Sequence, residues 1–145
     1  MIALIQRVTQ ASVTVNHENI AEIKIGILVL LGVEKHDTQK TADELLHKVI
    51  NYRIFEDQNQ KMNLSLIDTK GHLLIVPQFT LPANTKKGLR PSFASAAPPE
   101  QGDELYKHFV YLAEQKVTHV QTGRFGADMQ VNLTNNGPVT FWLQK

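Results

Sequence analysis

A chain of 145 residues, 42% hydrophobic and 20% charged, has the size and composition of one soluble folded domain with a sizeable core. No apolar run approaches the roughly 20 residues of a membrane helix, no basic-then-apolar leader opens the chain, and the lack of cysteine excludes disulfides and thiolate sites, so the expectation is a cytoplasmic protein. The net charge of +1 says less than its distribution: no acid stands between Asp68 and Glu100, where Lys70, Lys86, Lys87 and Arg90 fall, and none follows Asp128. Such a bias either attracts phosphate or marks a solvated loop.

Residues 1–8, 11–16 and 20–33 are rich in Ile, Val, Leu and Thr and read as strands. The polar residues 16–19 suit a hairpin turn. A helix follows, with Thr38 as N-cap and Ala42, Leu45, Leu46, Val49 and Ile50 recurring on one face. Residues 52–55 predict a short strand, 57–59 a turn, and 72–81 a strongly apolar strand. The loop over 82–98 carries the basic residues. Pro98-Pro99 marks a helix start, and the stripe of Leu105, Phe109, Leu112, Ala113 and Val117 carries that helix to about residue 118. Gly123 and Gly126 break the chain. Two last strands, 129–133 and 139–143, flank a turn over 134–138. Strands with two main helices argue for an α+β fold with mainly antiparallel pairing, in a single domain over residues 1–145.

Familiar catalytic constellations are missing. His17, His36, His47, His72, His108 and His119 are scattered without metal-ligand spacing, and each reads as a surface or partly buried residue rather than a ligand. There is no Gly-x-Ser-x-Gly elbow, Walker loop or Gly-x-Gly-x-x-Gly fingerprint. Two segments stand out. In Pro77-Gln78-Phe79-Thr80-Leu81 a polar pair ends an apolar strand. It is either a plain strand terminus or a site built at a strand end. Asn135-Asn136-Gly137-Pro138-Val139-Thr140 is either a simple hairpin turn or a rigid element around a Gly-Pro bond, which adopts cis at modest cost.

Together these segments resemble the two signature motifs of the D-aminoacyl-tRNA deacylase family, Ser-Gln-x-x-Thr and Asn-x-Gly-Pro-x-Thr. Residues 1–7, 85–93, 123–131 and 137–144 are similar to family sequence as well, so the resemblance covers essentially the whole chain. It implies an α+β fold of mainly antiparallel sheets forming a barrel-like core with two main helices. It implies a homodimer whose interface holds the active site, each site taking the first motif from one subunit and the Gly-Pro motif from the other. The implied reaction is hydrolysis of the ester joining a D-amino acid to the tRNA 3′ end, or glycine mischarged on tRNA-Ala. Neither a metal nor another cofactor takes part, and no membrane is involved.

Carried over, Gln78, Phe79 and Thr80 form the catalytic pocket. Gly137 and Pro138, with Asn135 and Thr140, form the wall that rejects L-substrates. Family members hold this Gly-Pro bond cis, with both carbonyl oxygens aimed at the substrate's α-carbon. Selectivity is then a clash against the wrong substrate, and glycine passes. Backbone N–H groups near Phe79 and Thr80 are expected to stabilise the oxyanion, with the tRNA 2′-hydroxyl helping to activate water. Thr80 as a covalent nucleophile is the competing account; it needs a base, and no histidine lies near it in sequence. Lys86, Lys87 and Arg90 are assigned to phosphates near the acceptor end, and Arg7 to bracing the Gly-Pro segment. Phe141 and Trp142 read as core or dimer-interface residues.

The chain departs from the family pattern at Pro77, where the family has Ser. Proline has neither an N–H nor a hydroxyl, so the strand is expected to be an edge or to end there. A related branch of the fold clears L-alanyl-tRNA, keeps its Gly-Pro bond trans and reads Pro-Gln-Ala-Thr at this place. Phe79 sides with the D-specific branch. Two alternatives accompany that reading: a deacylase relaxed enough to admit L-alanine, and a tRNA-binding dimer inactivated through Pro77.

Overall fold

The computed structural model describes residues 1–86 and 88–145; Lys87, one of the three expected phosphate contacts, lies outside the described residues. The organising element is β1 (Ile2–Val15), a single 14-residue strand where a break was expected after residue 8. Its length follows from its partners. Its first half pairs with β3 (Gly26–Gly32), its second half with β2 (Glu18–Ile23), and its other edge with β8 (Gln130–Gln144), all antiparallel. Asn16 and His17, both at positive φ, make the tight turn into β2.

The helix α1 (Gln39–Asn51) starts as expected, with the Thr38 hydroxyl accepting the Thr41 N–H. The strand expected over 52–55 begins only at its end, as β4 (Phe55–Glu56), which pairs with β5 (Met62–Leu64). A one-turn helix α2 (Leu66–Thr69) follows; neither it nor β5 is visible in the local pattern. Then come β6 (His72–Pro77), α3 (Pro99–Lys116) and β7 (Val120–Thr122). The sheet runs β2-β1-β3-β6-β7, with β8 on the other edge of β1, and curls into a nearly closed barrel. Most pairings are antiparallel, but β3, β6 and β7 run parallel.

That parallel unit explains the continuous apolar runs. Ile27, Val29, Leu73 and Ile75 face the core shared with α1 and α3. Their neighbours Leu28, Leu74 and Val76 fill the barrel interior with Val8 and Val13. A strand covered on both faces has no polar side, so period-two alternation disappears. Gly26 permits the tightest approach: a Cβ there would stand 1.9 Å from the His72 carbonyl oxygen.

The expected final hairpin does not form. Both halves of β8 pair with the same strand, with Asn135 opposite Val8 and Thr140 opposite Gln6. Asn136, Gly137, Pro138 and Val139 therefore bulge out opposite Arg7 alone. Turn-forming residues here make a bulge instead of reversing the chain.

Candidate active site

Strand β6 stops at Pro77, as the missing N–H suggested, but it is not an edge strand, since it lies between β3 and β7. Gln78 N–H donates to the Leu31 carbonyl at 2.8 Å, on the β3 side. Alternation turns the Pro77 nitrogen toward β7, whose pairing has already ended at Ile75. Proline thus costs the sheet no ladder bond.

Beyond it, Gln78 is half-buried, while Phe79 and Thr80 are exposed. The Gln78 side-chain amide donates to the Thr80 hydroxyl at 2.6 Å. Phe79, 64% exposed, leans on Phe93 of the basic loop, ring centres 5.3 Å apart. Gln78 and Phe79 sit on the wall of a cavity of about 500 Å³. Its other walls include Tyr106 from α3 and residues Phe125 to Met129, with Asp128 contributing a carboxylate. Tyr106 fixes this end of the sheet, its hydroxyl donating to the carbonyls of Ile75 and Gly123 at 3.0 and 3.1 Å. Burial pushes its hydroxyl pKa well up. Tyr106, Phe93 and Asp128 escaped assignment from sequence. The latter two lie in segments already noted as similar to the family, which was the available signal.

The second motif is held differently. Gly137 and Pro138 are exposed, and the bond between them is cis. Gly137 adopts φ +149°, and a Cβ there would lie 2.6 Å from Val139 Cγ2, so only glycine fits. The Asn135 amide closes the bulge from inside. Its Oδ1 accepts the Val139 N–H at 2.7 Å, and its Nδ2 donates to the Val139 carbonyl and the Thr140 hydroxyl, both at 3.1 Å. Arg7, buried beneath, donates from Nε to the Asn136 carbonyl at 2.9 Å and from Nη1 to the Ile54 carbonyl at 2.8 Å. Asn135, Gly137, Pro138, Thr140 and Arg7 therefore come together.

The two motifs do not meet within one chain. Arg7 pairs with Ile27, whereas Pro77 pairs with Leu31, and Gln78 lies one residue further on. The sites are thus separated by about five residues of strand, roughly 16 Å along the sheet. Lys86 and Arg90 are exposed on the loop after the first motif. Phe141 packs edge-on against Tyr52, while Trp142 is 51% exposed.

A sequence profile described as D-Tyr-tRNA(Tyr) deacylase matches residues 4–144. The chain belongs to this deacylase family. Proteins named D-aminoacyl-tRNA deacylase from Haemophilus influenzae (strain PittEE) and Pseudoalteromonas translucida (strain TAC 125) are 61% and 62% identical to it over 143 residues, 99% of each chain. Among solved structures, one titled c-Myc DNA Unwinding Element Binding Protein shares 42% identity with this family member. It superimposes with a TM-score of 0.96 over 100% of this chain and 99% of its own. A probable eukaryotic D-amino acid tRNA deacylase, 17% identical with a TM-score of 0.86 over 99% and 98% of the two chains, shares the fold. Among the described residues no group of three or more His, Asp or Glu could hold a metal ion, and no helix is long and apolar enough to cross a membrane.

Proposed function

We propose that this enzyme, a hydrolase of the D-aminoacyl-tRNA deacylase family, cleaves the ester of D-aminoacyl-tRNA and of glycine mischarged on tRNA-Ala, and spares L-aminoacyl-tRNA. The observation that carries the reading is the end-to-end family match, residues 4–144, with both motif segments presented at the surface. We assign Gln78, Phe79 and Thr80 to the ester. Gly137 and Pro138, held by Asn135, Thr140 and Arg7, are the wall against an L-side chain.

The separation of roughly 16 Å between the motifs argues that one wall serves another subunit's pocket. A homodimer with interfacial sites satisfies this, and the exposed outer edge of β8, with Leu133 and Trp142 beside it, offers surface for such contact. A Thr80 nucleophile would need a base to take its proton. Its observed partner is the Gln78 amide, which is no base, and this favours backbone N–H groups for the oxyanion and the RNA 2′-hydroxyl for water activation. Lys86, Lys87 and Arg90 would meet phosphates at the acceptor end. The reaction belongs in the cytoplasm, where charged tRNA is made and used.

The test is deacylation of D-tyrosyl- and L-tyrosyl-tRNA side by side, with purified protein and excess EDTA. Rapid loss of the D-ester alone is expected. Equal cleavage of both overturns the chiral wall, and cleavage of neither overturns the reaction.

A further inference from the structure

Three connections enter the parallel strands at the end of the sheet opposite the cavity. They are Lys24-Ile25 before β3, Lys70-Gly71 before β6, and residues 117–119 before β7. Backbone hydrogen bonds tie them together. His72 N–H donates to the Ile25 carbonyl at 3.0 Å, and Leu73 N–H to the His119 carbonyl at 2.8 Å. The imidazoles of His72 and His119 stack, with ring centres 4.5 Å apart and planes 19° from parallel. Lys24 is close enough to disfavour charge on His72, as does His119, although burial is the larger cause. Lys24, Ile25, Lys70 and His119 are exposed, Ile25 by 59%. The nearby Asp68 is occupied at the α2 cap, accepting from the Ser65 N–H and hydroxyl. The exposed Glu22, two residues before Lys24, accepts from the Asn19 side-chain amide at 3.2 Å. The result is a rim of two lysines with an aromatic and an apolar surface. Phosphate with an adjoining sugar or base face fits this chemistry.

The rim has a defined relation to the second motif. Gly26 pairs with both Val8 and His72, and Val8 also pairs with Asn135, so the rim and the Gly-Pro bulge share one end of the sheet. Three strand spacings separate β8 from β6, at most about 14 Å along the sheet. Within its own subunit the rim lies six residues of β6 from Gln78, about 20 Å, beyond the reach of a terminal nucleoside.

We infer that Lys24, Lys70, His72 and His119 form a second RNA-backbone contact, which grips the acceptor strand of a tRNA whose ester occupies the neighbouring subunit's pocket. This rests on the proposed interfacial site. The bulge that completes a neighbour's pocket brings its rim along, next to the RNA leaving that pocket.

The test is the double variant Lys24→Gln with His119→Gln, both exposed side chains, beside Lys107→Gln, which removes a cation from α3. For the double variant, KM for D-tyrosyl-tRNA should rise about 5- to 10-fold with kcat unchanged. The slope of log Kd for uncharged tRNA against log salt should become shallower by about one. The D-tyrosyl ester of adenosine alone should be cleaved at the wild-type rate, and Lys107→Gln should behave as wild type. Unchanged KM and slope, an equal loss on the short ester, or the same loss in Lys107→Gln each overturns the rim. A wild-type protein that cleaves neither D-ester instead overturns the proposed reaction, and the salt slope for uncharged tRNA then judges the rim by itself.

Discussion

Arg7 Nε donates to the carbonyl oxygen of Asn136 across 129 residues of sequence, and Nη1 of the same fork reaches the Ile54 carbonyl. One buried guanidinium thus fixes the Gly-Pro bulge to the segment after α1. The Glu56 carboxylate stands 3.8 Å from Nη2 and adds little, being more than half exposed. Arg7→Ala should lower stability by about 2–4 kcal/mol, because it strands the buried Ile54 carbonyl and the partly buried Asn136 carbonyl, and should also loosen the wall. Arg7→Lys keeps the charge but not the fork, and should retain stability better than selectivity. Urea unfolding and the ratio of D- to L-tyrosyl-tRNA cleavage read the two effects separately. A full D-to-L ratio in both variants would count against a bracing role.

Asn135 grips the same bulge through both ends of its amide. Asn135→Ala leaves the buried Val139 N–H without its acceptor, at a cost of about 1–3 kcal/mol. Asn135→Asp keeps the acceptor but loses the donor to the Val139 carbonyl and the Thr140 hydroxyl. Its stability loss should be the smaller, with selectivity still impaired. Thermal unfolding of the three proteins orders them, and an alanine variant as stable as wild type would contradict the network.

Much of this architecture is legible in the sequence because it is set locally. The Thr38 cap, the apolar face of α1 and the Pro98-Pro99 start of α3 are all near-neighbour effects, and each stands where the residues put it. The middle of β8 is not set locally. Asn135 to Pro138 have the composition of a hairpin turn, and only pairing of both flanks with the distant β1 makes them a bulge. The parallel order of β3, β6 and β7 is set by the crossovers through α1 and α3; the continuous apolar runs of β3 and β6 mark strands covered on both faces but do not name their neighbours or direction. The motif residues are reachable through resemblance, but Tyr106 is not, since it stands in neither motif and outside the stripe of Leu105, Phe109, Leu112, Ala113 and Val117.

Tyr106 gives a pH signature. Burial raises its pKa above the ordinary 10.0, so the folded state holds the phenolic proton more tightly than the unfolded chain does. Its contribution is therefore complete below about pH 10 and is lost as the pH climbs toward the folded value. Tyr106→Phe removes both carbonyl contacts and should cost about 1 kcal/mol at neutral pH, and that difference should shrink above pH 10. Urea midpoints of both proteins from pH 8 to 11.5 make the comparison. A constant difference across that range would rule out the tyrosine as its source.

Gly26 tests the parallel pairing. An alanine methyl there cannot coexist with the His72 carbonyl 1.9 Å away, and backbone cannot swing aside as a side chain would. Gly26→Ala should cost about 3 kcal/mol or more by forcing β3 and β6 apart. Urea unfolding followed by circular dichroism measures it. A near-normal midpoint would mean that the strands separate more easily than their register suggests.

Thr80 separates the two chemical accounts. Thr80→Val keeps the shape but removes the hydroxyl that Gln78 contacts. If backbone N–H groups and the RNA hydroxyl drive the reaction, kcat on D-tyrosyl-tRNA should fall less than about 10-fold, since no covalent step is lost. A nucleophilic Thr80 demands a collapse of at least about 1,000-fold, together with an acyl-enzyme burst in the wild type. Removing the 2′-hydroxyl instead, with a 3′-aminoacylated tRNA ending in 2′-deoxyadenosine, should cost the wild type and Thr80→Val alike. Single-turnover rates for the four combinations decide between them, because each account moves a different pair.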